Sequence, residues 1–179
     1  MPDSRAAAVA FLRDLGAAEL AHPGGTLLAH LQRVERQLAE WGARPALRLA
    51  GLCHACYGTD GFPEALLPPD RRTGLAAVIG PEAEALVYLY GSCDRRATYP
   101  VLAEADGVFR DRFTGRAHVP GPGPRGDLAE LTAANELDLA RLDPAFRAQW
   151  GSALLALFTR LRPLLSPPAW SACETVLAV

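Results

Sequence analysis

The chain has 179 residues, with 18 basic against 20 acidic side chains and half of all residues hydrophobic, enough for one self-sufficient core. A formal charge of -2 leaves no basic patch for nucleic acid, and no apolar run approaches the ~20 residues that cross a bilayer. There is no lysine, which excludes a Schiff-base lysine, a pyridoxal-phosphate lysine and a P-loop.

The N-terminus turns polar at Asp3 and is broken by Arg13 and Asp14, so it does not read as a secretory signal. Apolar periodicity predicts a helix over 5–20, with Ala8, Phe11, Leu12 and Leu15 on one face. His22-Pro23-Gly24-Gly25 breaks the chain. Thr26 then caps a helix to Trp41, striped by Leu27, Leu31, Val34 and Leu38. Gly42 closes it. Pro45 opens a helix to Tyr57 that is apolar nearly all round and is expected to be the central one. Residues 58–70 form a loop. Helices over 70–79 and 81–90 follow, joined at Gly80-Pro81, and 99–106 is expected to be helical. Residues 108–119 predict a β-hairpin turning at Thr114-Gly115. The segment 120–126 reads as a loop, too short to divide domains. Asp127 caps a helix to Leu142, Asp143-Pro144 starts another to Leu165, and Pro167-Pro168 starts the last. The pattern gives a single all-α domain, 1–179, with one small hairpin.

The four cysteines read as reduced thiols of a cytoplasmic protein, because a core of this size needs no disulfide staples. Cys53 and Cys56 form half of a zinc pattern. With no second pair they read as small core residues.

The informative residues are polar ones on apolar faces. On the helix from Pro45, Arg48 and His54 lie about 120° apart, so His54 does not share the side on which Arg48 reaches solvent. His30 lies one turn from both Leu27 and Val34, at the border of the stripe and half buried. On the helix from Asp127, Asn135 falls among Leu128, Leu131 and Leu142 within about 60°, with Asp138 at the edge. A buried Asn without partners costs roughly 1–3 kcal/mol, so Asn135 needs a partner. Glu136 projects away from that stripe.

Two inward histidines on adjacent helices, followed by a polar residue on a later helix, resemble the layout of an HD-type metal site. LLAHLQRVERQL resembles that superfamily's first-histidine helix. AGLCHACYGTD resembles its AGLLHDxxEDT segment, IGPEAEALVYLYG its next helix, and AANELDLAR its ADRLHNMR segment. The similarity spans residues 26–141 and is closest to the alarmone (ppGpp) hydrolase branch. It also extends to a bacterial family with a degenerate HD core, written H…GLLHAxYG. The resemblance implies an HD-like helical bundle with His30 and His54 at the histidine ligand positions. Ala55 replaces the aspartate of the HD doublet, Asn135 replaces the late aspartate, and the acidic pair's glutamate falls at Gly58 or Thr59. With two anionic ligands gone, alarmone and nucleotide hydrolysis are expected to be absent or trace.

Three readings follow from these residues. In the first, a single divalent ion (Fe, Mn or Zn) is held by His30, His54 and a carboxylate from Asp138 or Asp60, with His22 as a further nitrogen, and the protein is a small-molecule enzyme. In the second, the metal is lost and a pocket with His54, Tyr57 and Asn135 binds a small molecule or works by acid–base chemistry. In the third, the polar residues are a buried network in a module that binds a ligand or protein partner. Asp94-Arg95-Arg96 reads as a solvated turn, Arg110-Asp111-Arg112 as an exposed hairpin edge, and His118 as surface. Ser92 and Ser152 lack a nucleophile elbow.

Overall fold

A computed structural model describes residues 3–178. Nine α-helices and two short hairpins make up its described residues, so the chain is all-α with small β inserts. Helix α1 (Ser4–Asp14) is capped by Asp3. It ends six residues before the 5–20 expectation. Gly16, at φ 85°, closes it with a bond from Ala17 N–H to the Leu12 carbonyl, a left-handed glycine stop. The break at 22–25 is a miniature hairpin, β1 (Ala21–His22) against β2 (Gly25–Thr26). Thr26 Oγ1 accepts the Ala29 amide and starts α2 (Leu27–Glu40) as expected.

Helix α3 (Pro45–Cys53) stops before Tyr57, and His54 is its C-terminal cap. Gly51 lets α3 approach α2: a Cβ there would overlap Leu38 Cδ1 and touch Val34 Cγ1. Helices α4 (Arg72–Ile79) and α5 (Pro81–Ser92) follow the loop. Where 99–106 was expected to be helical, the helix α6 (Arg95–Thr98) comes first. It is capped by Asp94 and followed by a single 3-10 turn at Tyr99–Val101. The hairpin expected over 108–119 is present as β3 (Phe109–Arg110) and β4 (Ala117–His118). Its edge is not all exposed. Asp111 is buried, where it accepts the Tyr88 hydroxyl at 2.8 Å and the amides of Phe113 and Thr114.

Helix α7 (Pro122–Leu142) begins five residues before Asp127, because Pro122 and Pro124 are tolerated in the first turn, where amide protons have no partner. It is buried without interruption from Leu128 to Asp138 and packs on α2, α5, α8 (Pro144–Leu161) and α9 (Pro167–Leu177). The central helix is therefore α7, not the one from Pro45. Ala129, Ala133, Ala134 and Ala140 let neighbours close in on every side. The four cysteines are free and buried in this core. No helix among the described residues is long and apolar enough to cross a membrane.

Candidate functional site

Three elements deliver the histidines. The β1–β2 hairpin presents His22, α2 presents His30, and the end of α3 presents His54. The His22 and His30 rings stack with centroids 4.1 Å apart, and His30 meets His54 edge-on at 5.3 Å. His30 and His54 are 1% and 2% exposed, so His30 is buried rather than half buried.

Both rings are oriented by their Nδ1 atoms. His54 Nδ1 lies 2.7 Å from the Gly51 carbonyl, which can only accept, so the proton is on Nδ1. His30 Nδ1 lies 2.6 Å from Asp138 Oδ2. The two Nε2 atoms then converge on one atom, Asn135 Oδ1, at 3.0 Å from His30 and 3.1 Å from His54. Asn135 Nδ2 donates to Glu136 Oε1 at 3.2 Å, which sets the amide orientation. Burial, then the positive field of His30, lowers the His54 pKa to about 3, so this ring is neutral near pH 7 with its one proton on Nδ1. His54 Nε2 and Asn135 Oδ1 thus face each other as two acceptors. Turning the amide over moves the same conflict to Glu136. The network is one proton or one cation short.

Of the residues singled out from sequence, His22, His30, His54 and Asn135 are together. Asp138 is close but points elsewhere: Arg33 takes it with two bonds at 2.8 and 3.0 Å, and His30 Nδ1 takes it from behind. Burial pushes the Asp138 carboxyl up, but the bonds from His30 and Arg33 outweigh this and hold it below the usual range. It therefore orients His30 and does not face the Nε2 side. Asp60 is exposed and accepts the Arg95 amide at 3.0 Å, fixing the loop to the start of α6. Tyr57 turns away and donates to Glu84 at 2.8 Å, in a cluster with Arg72. Tyr90 takes the position beside His54, edge-on at 5.2 Å. Among the described residues no three His, Cys, Asp or Glu side chains are grouped to hold a metal. His22 is stacked over His30 and adds no third nitrogen to the point where the Nε2 atoms meet.

Two residues of the site were not anticipated. Arg95 does not lie in a solvated turn. Its guanidinium bonds Glu136 at 3.2 Å and the Tyr90 hydroxyl at 3.1 Å, between the Tyr90 and Tyr99 rings. The sequence signal was Asp94, a helix cap that places Arg95 and Tyr99 one turn apart. Glu136 lies on the face formed by Asn135, Leu139 and Asp143, one turn apart on α7. The leucine stripe had pointed to a neighbouring face.

His22, His30, His54, Arg95, Tyr99, Asn135 and Glu136 border one cavity of about 650 Å³, within the range of pockets that enclose drug-sized ligands; Asp138, Tyr57 and Asp60 do not. Its floor is His22, His30, His54, Asn135, Glu136 and Arg95. Its outer wall is one face of α8 carrying Phe146, Trp150, Leu154 and Leu157. Asp143 caps that helix, Oδ1 accepting the Ala145 and Phe146 amides.

A family model for a domain of unknown function, DUF6817, matches residues 11–95. That span includes His22, His30, His54 and Arg95 but not Asn135 or Glu136. No curated protein and no solved structure matches the chain.

Proposed function

We propose that this protein is a cytoplasmic small-molecule enzyme whose site is an altered HD-type centre, completed by one divalent ion of iron, zinc or manganese. The observation that carries this reading is the convergence of His30 Nε2 and His54 Nε2 on Asn135 Oδ1, at 3.0 and 3.1 Å. Histidines that bind metal characteristically donate the other ring proton to a carboxylate or a carbonyl, and Asp138 and Gly51 are such partners here. His30, His54 and Asn135 would hold the ion. Two imidazoles with an amide oxygen suit iron or zinc better than magnesium. When bound, the ion would supply a polarising charge for a substrate oxygen or a water.

The chain's own groups do the rest. Asp138 and Arg33 keep His30 in one orientation. Arg95 holds Glu136 beside the Asn135 amide, whose orientation Glu136 fixes. The apolar face of α8 walls the cavity. With Ala55 and Asn135 in place of two carboxylates, phosphohydrolysis is not the chemistry we propose.

A second reading is a metal-free module that binds a ligand or a partner. What favours it is the commitment of Asp138 to Arg33 and of Asp60 to the Arg95 amide, which leaves no carboxylate facing the two Nε2 atoms. Elemental analysis of protein purified without chelator or affinity-tag metal separates the two. We expect stoichiometric divalent metal in the parent protein and its loss in His54→Ala, with helical content intact. Metal-free parent protein, with His54→Ala lowering only stability, would establish the second reading instead.

A further inference from the structure

We propose that the cavity takes an organic amine: a molecule with an ammonium head and an apolar or aromatic body. This rests on the reading that the cavity is the ligand site, and goes beyond it by naming the ligand's chemistry. The ionised side chains facing the cavity are Arg95, Glu136 and Asp143. Arg95 is already spent on Glu136 at 3.2 Å, which leaves Asp143 as a carboxylate with no cationic side chain paired to it among the described residues.

Several donors at the floor of the cavity are committed, although His22 Nδ1 is buried without a partner among the described residues. Asn135 Nδ2 and Arg95 Nη1 go to Glu136, Arg95 Nη2 goes to the Tyr90 hydroxyl, and His54 Nδ1–H goes to Gly51. With Glu136 and Asp143 against Arg95, the cavity is lined by more carboxylates than cationic side chains. An anion brought into it would lose hydration and face that excess of carboxylates. An ammonium meets Asp143 within a wall carrying Phe146 and Trp150 on successive turns of α8. Aromatic faces attract a cation through the negative charge of the π face. Trp150 is 48% exposed and would be covered by the body of the ligand.

The test uses three probes with the same ring: 2-phenylethylamine, 2-phenylethanol and phenylacetate. Each is titrated calorimetrically into the full-length protein near pH 7, with chelator present, and metal content is measured on a separate untreated sample. We expect the amine to bind at least about tenfold tighter than the alcohol and the carboxylate to bind weakest. Asp143→Asn retains a good helix cap and should erase the amine's advantage while leaving the alcohol unchanged. Glu136→Gln should reduce that advantage. A carboxylate that binds as tightly as the amine overturns the proposal. So does an advantage that survives both substitutions, and so does the failure of all three probes to bind. Metal without amine preference would overturn this inference alone; amine preference without metal would overturn only the metal-dependent reading.

Discussion

Asn135 occupies the point where a carboxylate would turn two imidazoles into a strong cation site. Its amide oxygen is correctly placed, at 3.0 and 3.1 Å from the two Nε2 atoms, but brings no charge. Asn135→Asp changes charge with almost no change in shape, so it isolates that one term. Glu136 beside it raises the cost of a second carboxylate, while Arg95 offsets it. We expect Asn135→Asp to raise zinc affinity by at least about tenfold, or 1.4 kcal/mol, in a competition titration against a chromogenic chelator. An unchanged affinity would mean that the two imidazoles do not present their lone pairs to a common point.

The site depends at the level of elements on the close approach of α2 and α3, and Gly51 makes that approach possible. Its missing Cβ leaves room for Leu38 and Val34, and its carbonyl fixes the His54 ring. Gly51→Ala should push the two helices apart, at a cost of roughly 1–3 kcal/mol, the usual price of overpacking. It should also weaken metal binding by a larger factor than a surface change of equal destabilisation does. Denaturant melts paired with the same zinc titration would show this; a stability loss with unaltered zinc affinity would disprove the link. The elements also show what could be read from the sequence. The α2 stripe, its Thr26 cap, the hairpin and the inward His30, His54 and Asn135 were legible, because period and polarity are local properties. The stop of α3 at His54 was not, because it depends on a ring-to-carbonyl bond that apolar patterning does not encode. Asp138, Asp60 and Tyr57 were placed near the right helices, but their directions were set by Arg33, the Arg95 amide and Glu84, partners 105, 35 and 27 residues away.

Over the whole molecule, the choice of α7 as the central helix has an electrostatic consequence. It brings polar side chains into the middle of the core, and His54 and His22 facing them must then stay neutral there. Burial lowers His54 to about 3 and, with the field of His30, lowers His22 to about 4. Unfolded histidine titrates near 6.5. Between those values the unfolded chain binds more protons than the folded one, so stability is full above about pH 6.5 and falls as the pH drops toward 3–4. One fully buried histidine contributes a slope of up to about 1.4 kcal/mol per pH unit. Asp138 adds nothing in the upper part of this range, because its folded value lies below the usual carboxylate range and its contribution is lost only at lower pH. The window from pH 5 to 6.5 therefore excludes Asp138. Burial pushes the Asp127 carboxyl up, so that group adds stability as the pH falls and opposes the histidine slope rather than adding to it. Urea unfolding of chelator-treated protein across that window should show stability rising with pH, and His54→Asn should flatten the rise even though it lowers stability at every pH. If the variant's slope matched that of the parent, His54 would not be a buried neutral base, and the acceptor conflict at Asn135 would have to be resolved by a proton already present on the ring.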